Sequence, residues 1–226
     1  MSDRTRGKLI VIEGLDGSGK ATQAKRLAAS LQERGLCVRE ITFPDYGSES
    51  SALVKMYLAG AFGKEPGDVN AFAASAFYAV DRYAGMKRDW GAFYEAGGIL
   101  IADRYTTSNA VHQCCKLERS GWDGYLGWLF HFEYEMLGLP APDLVVYLRL
   151  EIDASQRLIS KRYHGDENRK DIHESNTDYL KHAHEAADYC AEKYGWNTVE
   201  CAGQGVMRSV EEIGKEIFGA VKRILL

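Results

Sequence analysis

The sequence carries no surplus of positive charge: 28 lysines and arginines face 32 aspartates and glutamates, a formal net charge of −4. That balance argues against a general nucleic-acid binder or a protein of the membrane surface, because such partners demand excess cations. Basic residues gather only locally, around 161–170. Paired cysteines are lacking as well. Cys37, Cys114, Cys115, Cys190 and Cys201 are odd in number and form no C-x-x-C, and no signal-peptide pattern opens the chain, so a reduced, cytoplasmic protein is expected. No apolar run approaches the roughly 20 residues that span a bilayer. No His and Cys spacing suits a zinc ion, and neither an internal repeat nor a low-complexity segment is present. What remains is 226 residues, 46% of them hydrophobic, which is enough for one α/β domain with a full core over 1–226.

Short strand-like runs fall at 9–13, 38–43, 99–103, 144–150 and 198–201, with helical patterns between them. Such alternation predicts a parallel sheet covered on both faces, with ligands beyond the carboxyl ends of the strands. The chemically distinctive residues stand at those ends, and four strand tips are expected to share one crevice.

The most informative tip is the first. Gly14-Leu15-Asp16-Gly17-Ser18-Gly19-Lys20 follows the apolar run Leu9-Ile10-Val11-Ile12 and precedes a helical stretch at 21–34. This strand, glycine loop and helix form a phosphate cradle: backbone N–H groups turn toward an anion, the helix adds its positive end, and Lys20 reaches the β and γ oxygens. A nucleoside triphosphate is the ligand to expect. One position departs from the pattern, since Ala21 stands where a Ser or Thr hydroxyl would ligate magnesium. Thr22 points about 100° away around the helix, so magnesium must rely on carboxylates, waters and nucleotide oxygens.

At the third tip, Asp103 ends an apolar run and is placed to organise magnesium, while Arg104 offers a planar fork suited to a phosphate. The alternative is an Asp-Arg pair that caps the next helix. Asp16 reads either as a further magnesium or acceptor-sugar contact or as a turn former before Gly17. Tyr78 and Arg82 lie four apart on one helix face, where a ring and a guanidinium hold a flat base; taken alone, aromatics at that spacing are core and Asp81-Arg82 is surface. His112 receives no acid-base role. The charged segment 159–179, with Lys161, Arg162, Arg169 and Lys170, reads as a mobile lid or as a solvated excursion. In 122–132, Trp122, Tyr125, Trp128, Leu129 and Phe132 suit a subunit contact and core packing equally.

Taken together, the glycine loop with Ile12-Glu13 before it, Phe43-Pro44, the run from Tyr78 to Arg82, Asp103-Arg104-Tyr105 with Ser108-Asn109, and the basic segment resemble the thymidylate kinase family over nearly the whole chain. The resemblance implies a three-layer P-loop kinase fold: a five-stranded parallel sheet flanked by helices, with a mobile basic lid. It implies transfer of the ATP γ-phosphoryl group to dTMP in dTTP synthesis, with Mg2+, in a homodimer. By it, Gly14, Gly17, Ser18, Gly19, Lys20, Ala21, Thr22, Arg157 and Ala202 hold ATP, Ala202 lying in the adenine-binding turn. Asp103 and Asp16 serve the metal. Lys20, Arg104, Asp16 and the lid cations Arg162 and Arg169 serve the transferring group.

On the acceptor side the resemblance places Phe43, Pro44, Asp16, Arg104 and Ser108. Tyr78 stacks on the base, Arg82 reads a thymine carbonyl, Asn109 lies near the other base edge, and His112 stands where some relatives carry a tyrosine near the deoxyribose. Family members often show an arginine two residues after F-P; here that position is Tyr46, so one phosphate contact is missing or supplied from elsewhere. The rivals are another nucleotide or deoxynucleoside kinase on this scaffold and a non-catalytic nucleotide-binding module, for which Ala21 is the best argument.

Overall fold

Apolar runs too short for helices become the central strands of one parallel sheet, and two more polar runs, partly exposed, become its edges. The computed structural model describes residues 6–162, 176–203 and 206–225, without the side chains of 159–162 and 177. The strands are β1 (Lys8–Glu13), β2 (Val38–Thr42), β3 (Ile99–Asp103), β4 (Leu144–Arg149) and β5 (Asn197–Glu200), in the order β2-β3-β1-β4-β5. Their ends agree with the expected ones to within one residue. Phe43 falls just outside β2: its N–H still donates to the Asp103 carbonyl at 3.1 Å, but Pro44 has no N–H to continue the ladder.

The helices are α1 (Lys20–Gln32), α2 (Ala52–Leu58), α3 (Ala71–Gly85), α4 (Gly91–Glu95), α5 (Thr106–His112), α6 (Trp122–Phe130), α7 (Ile152–Arg162), α8 (Thr177–Tyr194) and α9 (Val210–Leu225). Two short strands, β6 (Ala202–Gly203) and β7 (Val206–Met207), pair antiparallel. A π-helical turn, Met86–Trp90, joins α3 to α4, and a second, His131–Met136, extends α6.

Alternation along β1 divides the core. Ile10 and Ile12 pack with Leu27, Leu31 and Ile217 from α1 and α9, whereas Leu9 and Val11 pack with Trp90, Leu100 and Tyr105 on the opposite face. Burying each such aliphatic side chain contributes about 1.5–3 kcal/mol, so a one-residue register slip, which swaps both sets, is strongly disfavoured. The register sets Ile12 opposite Asp103 on one side of β3 and Thr42 opposite Asp103 on the other. Three strands therefore end level, and the loops that follow them emerge at one edge.

Two expectations change. The charged excursion at 159–179 is narrower than the sequence suggested: α7 continues through Arg162, and α8 begins at Thr177 behind Asn176, whose side chain accepts from the Tyr179 N–H at 2.9 Å. Residues 163–175, Arg169 among them, and the Arg162 side chain lie outside the described residues. The aromatic stretch also divides. Trp122, Tyr125 and Leu129 are core, while Trp128 and Phe132 are half-buried and stack at 5.2 Å, with the exposed Phe72 edge-on to Trp128 at 4.7 Å.

Candidate active site

The loop after β1 closes tightly on itself. At Gly14 the backbone lies at φ 154°, and a Cβ there would meet Ser18 Oγ at 2.6 Å and the Leu148 carbonyl oxygen at 2.8 Å, so only glycine fits. Gly19, left-handed at φ 88°, leads into α1, which has no side-chain cap. Its first N–H groups are thus offered to an anion, reinforced by the helix dipole. Lys20 is buried; its ammonium donates to the Leu15 carbonyl at 2.9 Å and stands 3.7 Å from Asp16 Oδ1. Ser155 on α7 donates its hydroxyl to the Asp16 carbonyl and pins the loop from beneath.

At the end of β3, Arg104 takes a left-handed backbone conformation, φ 67°, that costs a non-glycine residue about 1–3 kcal/mol. Its N–H is held by the Ile12 carbonyl at 3.2 Å. The guanidinium reaches Asp16 Oδ1 at 2.6 Å, Ser108 Oγ at 3.1 Å, His112 Nε2 at 3.2 Å and Glu13 Oε1 at 3.7 Å. Since arginine has no acceptor, His112 Nε2 must accept, and the imidazole proton sits on Nδ1, facing the Tyr179 hydroxyl at 3.2 Å. The helix-capping alternative for Asp103-Arg104 is not what forms: Tyr105 occupies the cap position of α5 and makes no side-chain cap bond.

Charge organises this cluster. Burial would raise the Asp16 carboxyl, but Arg104 and then Lys20 outweigh it and hold the group far below the usual carboxylate range. Burial and then Arg104 push the Lys20 ammonium down, with Asp16 opposing. Burial disfavours the Arg104 cation, yet Asp16, Glu13 and Asp103 raise its pKa above the ordinary value. Asp103 Oδ1 is buried without a hydrogen-bond partner among the described residues.

The second half of the site hangs on α3. Asp81 and Arg82, which composition alone would put on the surface, are both buried. Asp81 accepts from the Asp45 N–H at 2.8 Å and the Ser50 hydroxyl at 2.5 Å, fixing the loop after β2. Arg82 is clamped by Glu133, Nε to Oε2 at 2.7 Å and Nη2 to Oε1 at 2.5 Å. Glu133 overrides the burial that opposes the Arg82 charge and raises its pKa.

A cavity of about 800 Å³ connects these parts. Its wall brings together Asp16, Gly17, Gly19, Lys20, Ala21 and Thr22 from the loop, and Phe43, Pro44, Tyr78, Arg82, Asp103, Arg104, Ser108, Asn109 and His112 from beyond it. Thr22 borders the cavity beside Ala21. Among the described residues four expected ones are not in the wall: Gly14 and the buried Ser18, which belong to the loop itself, Arg157, exposed on α7, and Ala202, which follows the edge strand β5. The cavity wall draws on the tips of β1, β2 and β3, and the tip of β5 meets the phosphate loop at Cys201, whose Sγ lies 4.0 Å from the Ser18 carbonyl oxygen.

Sequence reasoning gave no role to Glu13, Lys55, Asp81 or Glu133. Glu13 is buried and accepts from Thr107 Oγ1 at 2.6 Å, Ser108 Oγ at 2.9 Å and the Gly14 N–H at 3.0 Å. An acid ending an apolar strand was the signal for it. Lys55 borders the cavity near Tyr46, where it donates to the Tyr46 and Ser48 carbonyls.

A family model described as thymidylate kinase matches residues 12–213. The thymidylate kinase of Mycobacterium tuberculosis is 32% identical over 147 residues, 64% of this chain and 67% of that one. The human thymidylate kinase is 30% identical over 153 residues, 67% of this chain and 66% of that one. A probable thymidylate kinase of Pyrococcus abyssi is 30% identical over 227 residues, 98% of each chain. The solved structure of thymidylate kinase from Candida albicans superposes with a TM-score of 0.72 at 21% identity, covering 97% of this chain and 92% of that one, a likeness of fold.

Proposed function

This chain belongs to the thymidylate kinase family, an ATP-dependent phosphotransferase that converts dTMP to dTDP, and from that premise we propose how its own residues divide the work. The observation that carries the assignment is the single cavity with a phosphate cradle at one end and the Arg82 and Asn109 side chains at the other, with Arg104 between. Lys20 and the N–H groups of α1 hold the donor phosphates. Arg104 holds the acceptor phosphate, helped by Lys55 where Tyr46 replaces the family's arginine. Tyr78 stacks on the base and Arg82 with Asn109 reads its edge, while His112 lies against the sugar.

An acceptor phosphate oxygen is already negative, so it needs little help from a general base. The obstacle is repulsion between two polyanions, roughly 4 kcal/mol per pair of unit charges 4 Å apart at an effective dielectric near 20. Lys20, Arg104 and Lys55 offset it. Positioning the two nucleotides in line then supplies most of the catalysis. Magnesium suits Asp103, whose buried Oδ1 has no partner among the described residues, with Asp16 nearby and waters and nucleotide oxygens completing its shell. Bound there, the ion neutralises charge on the phosphate oxygens. Arg162 and Arg169 are proposed as the lid cations that meet the transferring group. A second copy is proposed to cover the Phe72, Trp128 and Phe132 patch.

Coupled ADP release, measured with dTMP, dUMP, UMP, dCMP and thymidine as acceptors, tests this reading. Magnesium-dependent ADP formation greatest with dTMP is expected. Equal rates with UMP or thymidine would overturn the acceptor assignment, and ATP hydrolysis indifferent to every acceptor would reduce the chain to a nucleotide-binding module.

A further inference from the structure

Glu133 does not line the cavity, yet both base-reading side chains rest on it. It sits in the π-helical turn after α6, an irregularity that recurs at functional sites, and it is fully buried. Four donors converge on its two oxygens: Arg82 Nη2 at 2.5 Å and Asn109 Nδ2 at 3.0 Å on Oε1, and Arg82 Nε and Thr106 Oγ1, each at 2.7 Å, on Oε2. That fills a carboxylate's acceptor capacity, which no amide or protonated acid could match.

The consequence falls on Asn109. Its nitrogen donates to Glu133 Oε1 and to the Ser75 carbonyl at 3.2 Å, two groups that only accept, so the amide has one allowed orientation. The carbonyl Oδ1 is the atom left to face the cavity, and no described residue donates to it. Arg82 is constrained likewise: Nε, Nη2 and Nη1 each spend one N–H, the last on the Tyr105 carbonyl at 3.4 Å, and the two N–H bonds that remain of its five are donors in fixed directions.

We propose that Glu133 is a positioning residue that sets the polarity of the base-reading edge, presenting an acceptor from Asn109 and a donor from Arg82. This rests on the base-reading roles given above. A pyrimidine with a 4-carbonyl and an N3–H matches that polarity. A 4-amino pyrimidine, with an acceptor at N3 and a donor at C4, meets acceptor with acceptor and donor with donor, and is rejected. Uracil and thymine present the same edge and are not distinguished by it.

The test compares kcat/KM for dTMP, dUMP and dCMP in the wild type, Glu133→Gln, Glu133→Asp, Arg82→Ala and Asn109→Ala. Glutamine brings an N–H2 against one of the converging donors and releases the Asn109 amide to turn. The expected result is a fall of about tenfold in the dTMP to dCMP ratio, read in the KM of the acceptor. The dTMP to dUMP ratio and the KM for ATP stay unchanged, and Glu133→Asp restores most of the discrimination. A folded Glu133→Gln that loses activity equally toward dTMP and dCMP has lost structure only and overturns the proposal. If Arg82→Ala and Asn109→Ala also leave the ratio untouched, the base-reading assignment itself has failed. Should Glu133→Gln not fold, the wild type decides by nitrogen-15 NMR of the Asn109 side chain, assigned by its loss in Asn109→Ala. Slowly exchanging amide protons are expected, and exchange at the rate of a free amide overturns the proposal.

Discussion

Arg104 Nη2 lies 2.6 Å from Asp16 Oδ1, a charge-assisted hydrogen bond that joins the end of β3 to the phosphate loop after β1. The strained backbone of Arg104 and the closed ring of Ser108, His112 and Glu13 around it keep the guanidinium at the middle of the cavity. An incoming phosphate therefore meets a cation that is already oriented.

Replacing Arg104 by alanine is expected to lower kcat/KM for dTMP by about 10²–10³, the usual cost of losing one preorganised donor to the reacting group. ATP affinity, by equilibrium titration, should move by no more than about threefold, or less than 1 kcal/mol. Lysine should not rescue, since a point charge cannot replace the fork shared among Asp16, Ser108 and the ligand. Equal loss of ATP binding would contradict the division between donor and acceptor ends.

Magnesium dependence separates Asp103 from Ala21. Asp103→Asn should raise the magnesium concentration for half-maximal rate by about tenfold, because the buried oxygen that has no partner among the described residues becomes neutral or turns its amide inward. Ala21→Ser supplies the absent hydroxyl at the cavity wall and should shift the midpoint the other way. An unchanged midpoint in both variants would place the ion elsewhere.

Asp81→Ala strands the Asp45 N–H and the Ser50 hydroxyl. Thermal or urea unfolding should show a loss of about 1–3 kcal/mol. The KM for dTMP should rise more than that for ATP, because the released loop carries Phe43 and Pro44 and no part of the phosphate cradle. A change confined to stability would make Asp81 a fold residue only.

Alkaline pH should destabilise the protein through its buried thiols. All five cysteines are free and four are buried; burial pushes Cys115, Cys190 and Cys201 up to about 12, and Cys114 higher still. Unfolded thiols titrate near 8.5, so above that pH the unfolded chain binds fewer protons than the folded one. Stability from these groups is complete below about pH 8.5 and declines as pH rises toward the folded values, by up to about 1.4 kcal/mol per pH unit for each thiol. Cys190→Ala should flatten the decline in Tm between pH 8.5 and 10.5 relative to the wild type. Identical slopes would mean that Cys190 ionises as readily in the folded protein.

Much of the site was legible in the chain because strand ends are written in local pattern. The Gly14 to Lys20 loop and Asp103-Arg104 each interrupt an apolar run, and a parallel sheet collects such interruptions at one edge. Ala202 falls outside the cavity wall while its neighbour Cys201 comes within 4.0 Å of the Ser18 carbonyl oxygen, and which tip meets which loop follows from sheet order, a long-range property with no local signature. Glu133 escaped notice for the same reason. It comes from a charged stretch beyond an aromatic helix, and only a π-helical turn, invisible to a period of 3.6, swings it inward against Arg82. Asp81 and Arg82 show how tertiary partners reverse the default for charged neighbours on a helix: each is buried because a specific loop or acid meets it.

Those two consecutive residues also tie two parts of the site together. Neighbours on a helix diverge by about 100°, and here Asp81 secures the loop after β2 while Arg82, in the cavity wall, is clamped by Glu133. The spacing between that loop and the Glu133 clamp is thereby set within a single turn of α3. On the roles proposed above, one turn of α3 serves both ends of the acceptor, so the loop and the base-reading edge keep a fixed spacing.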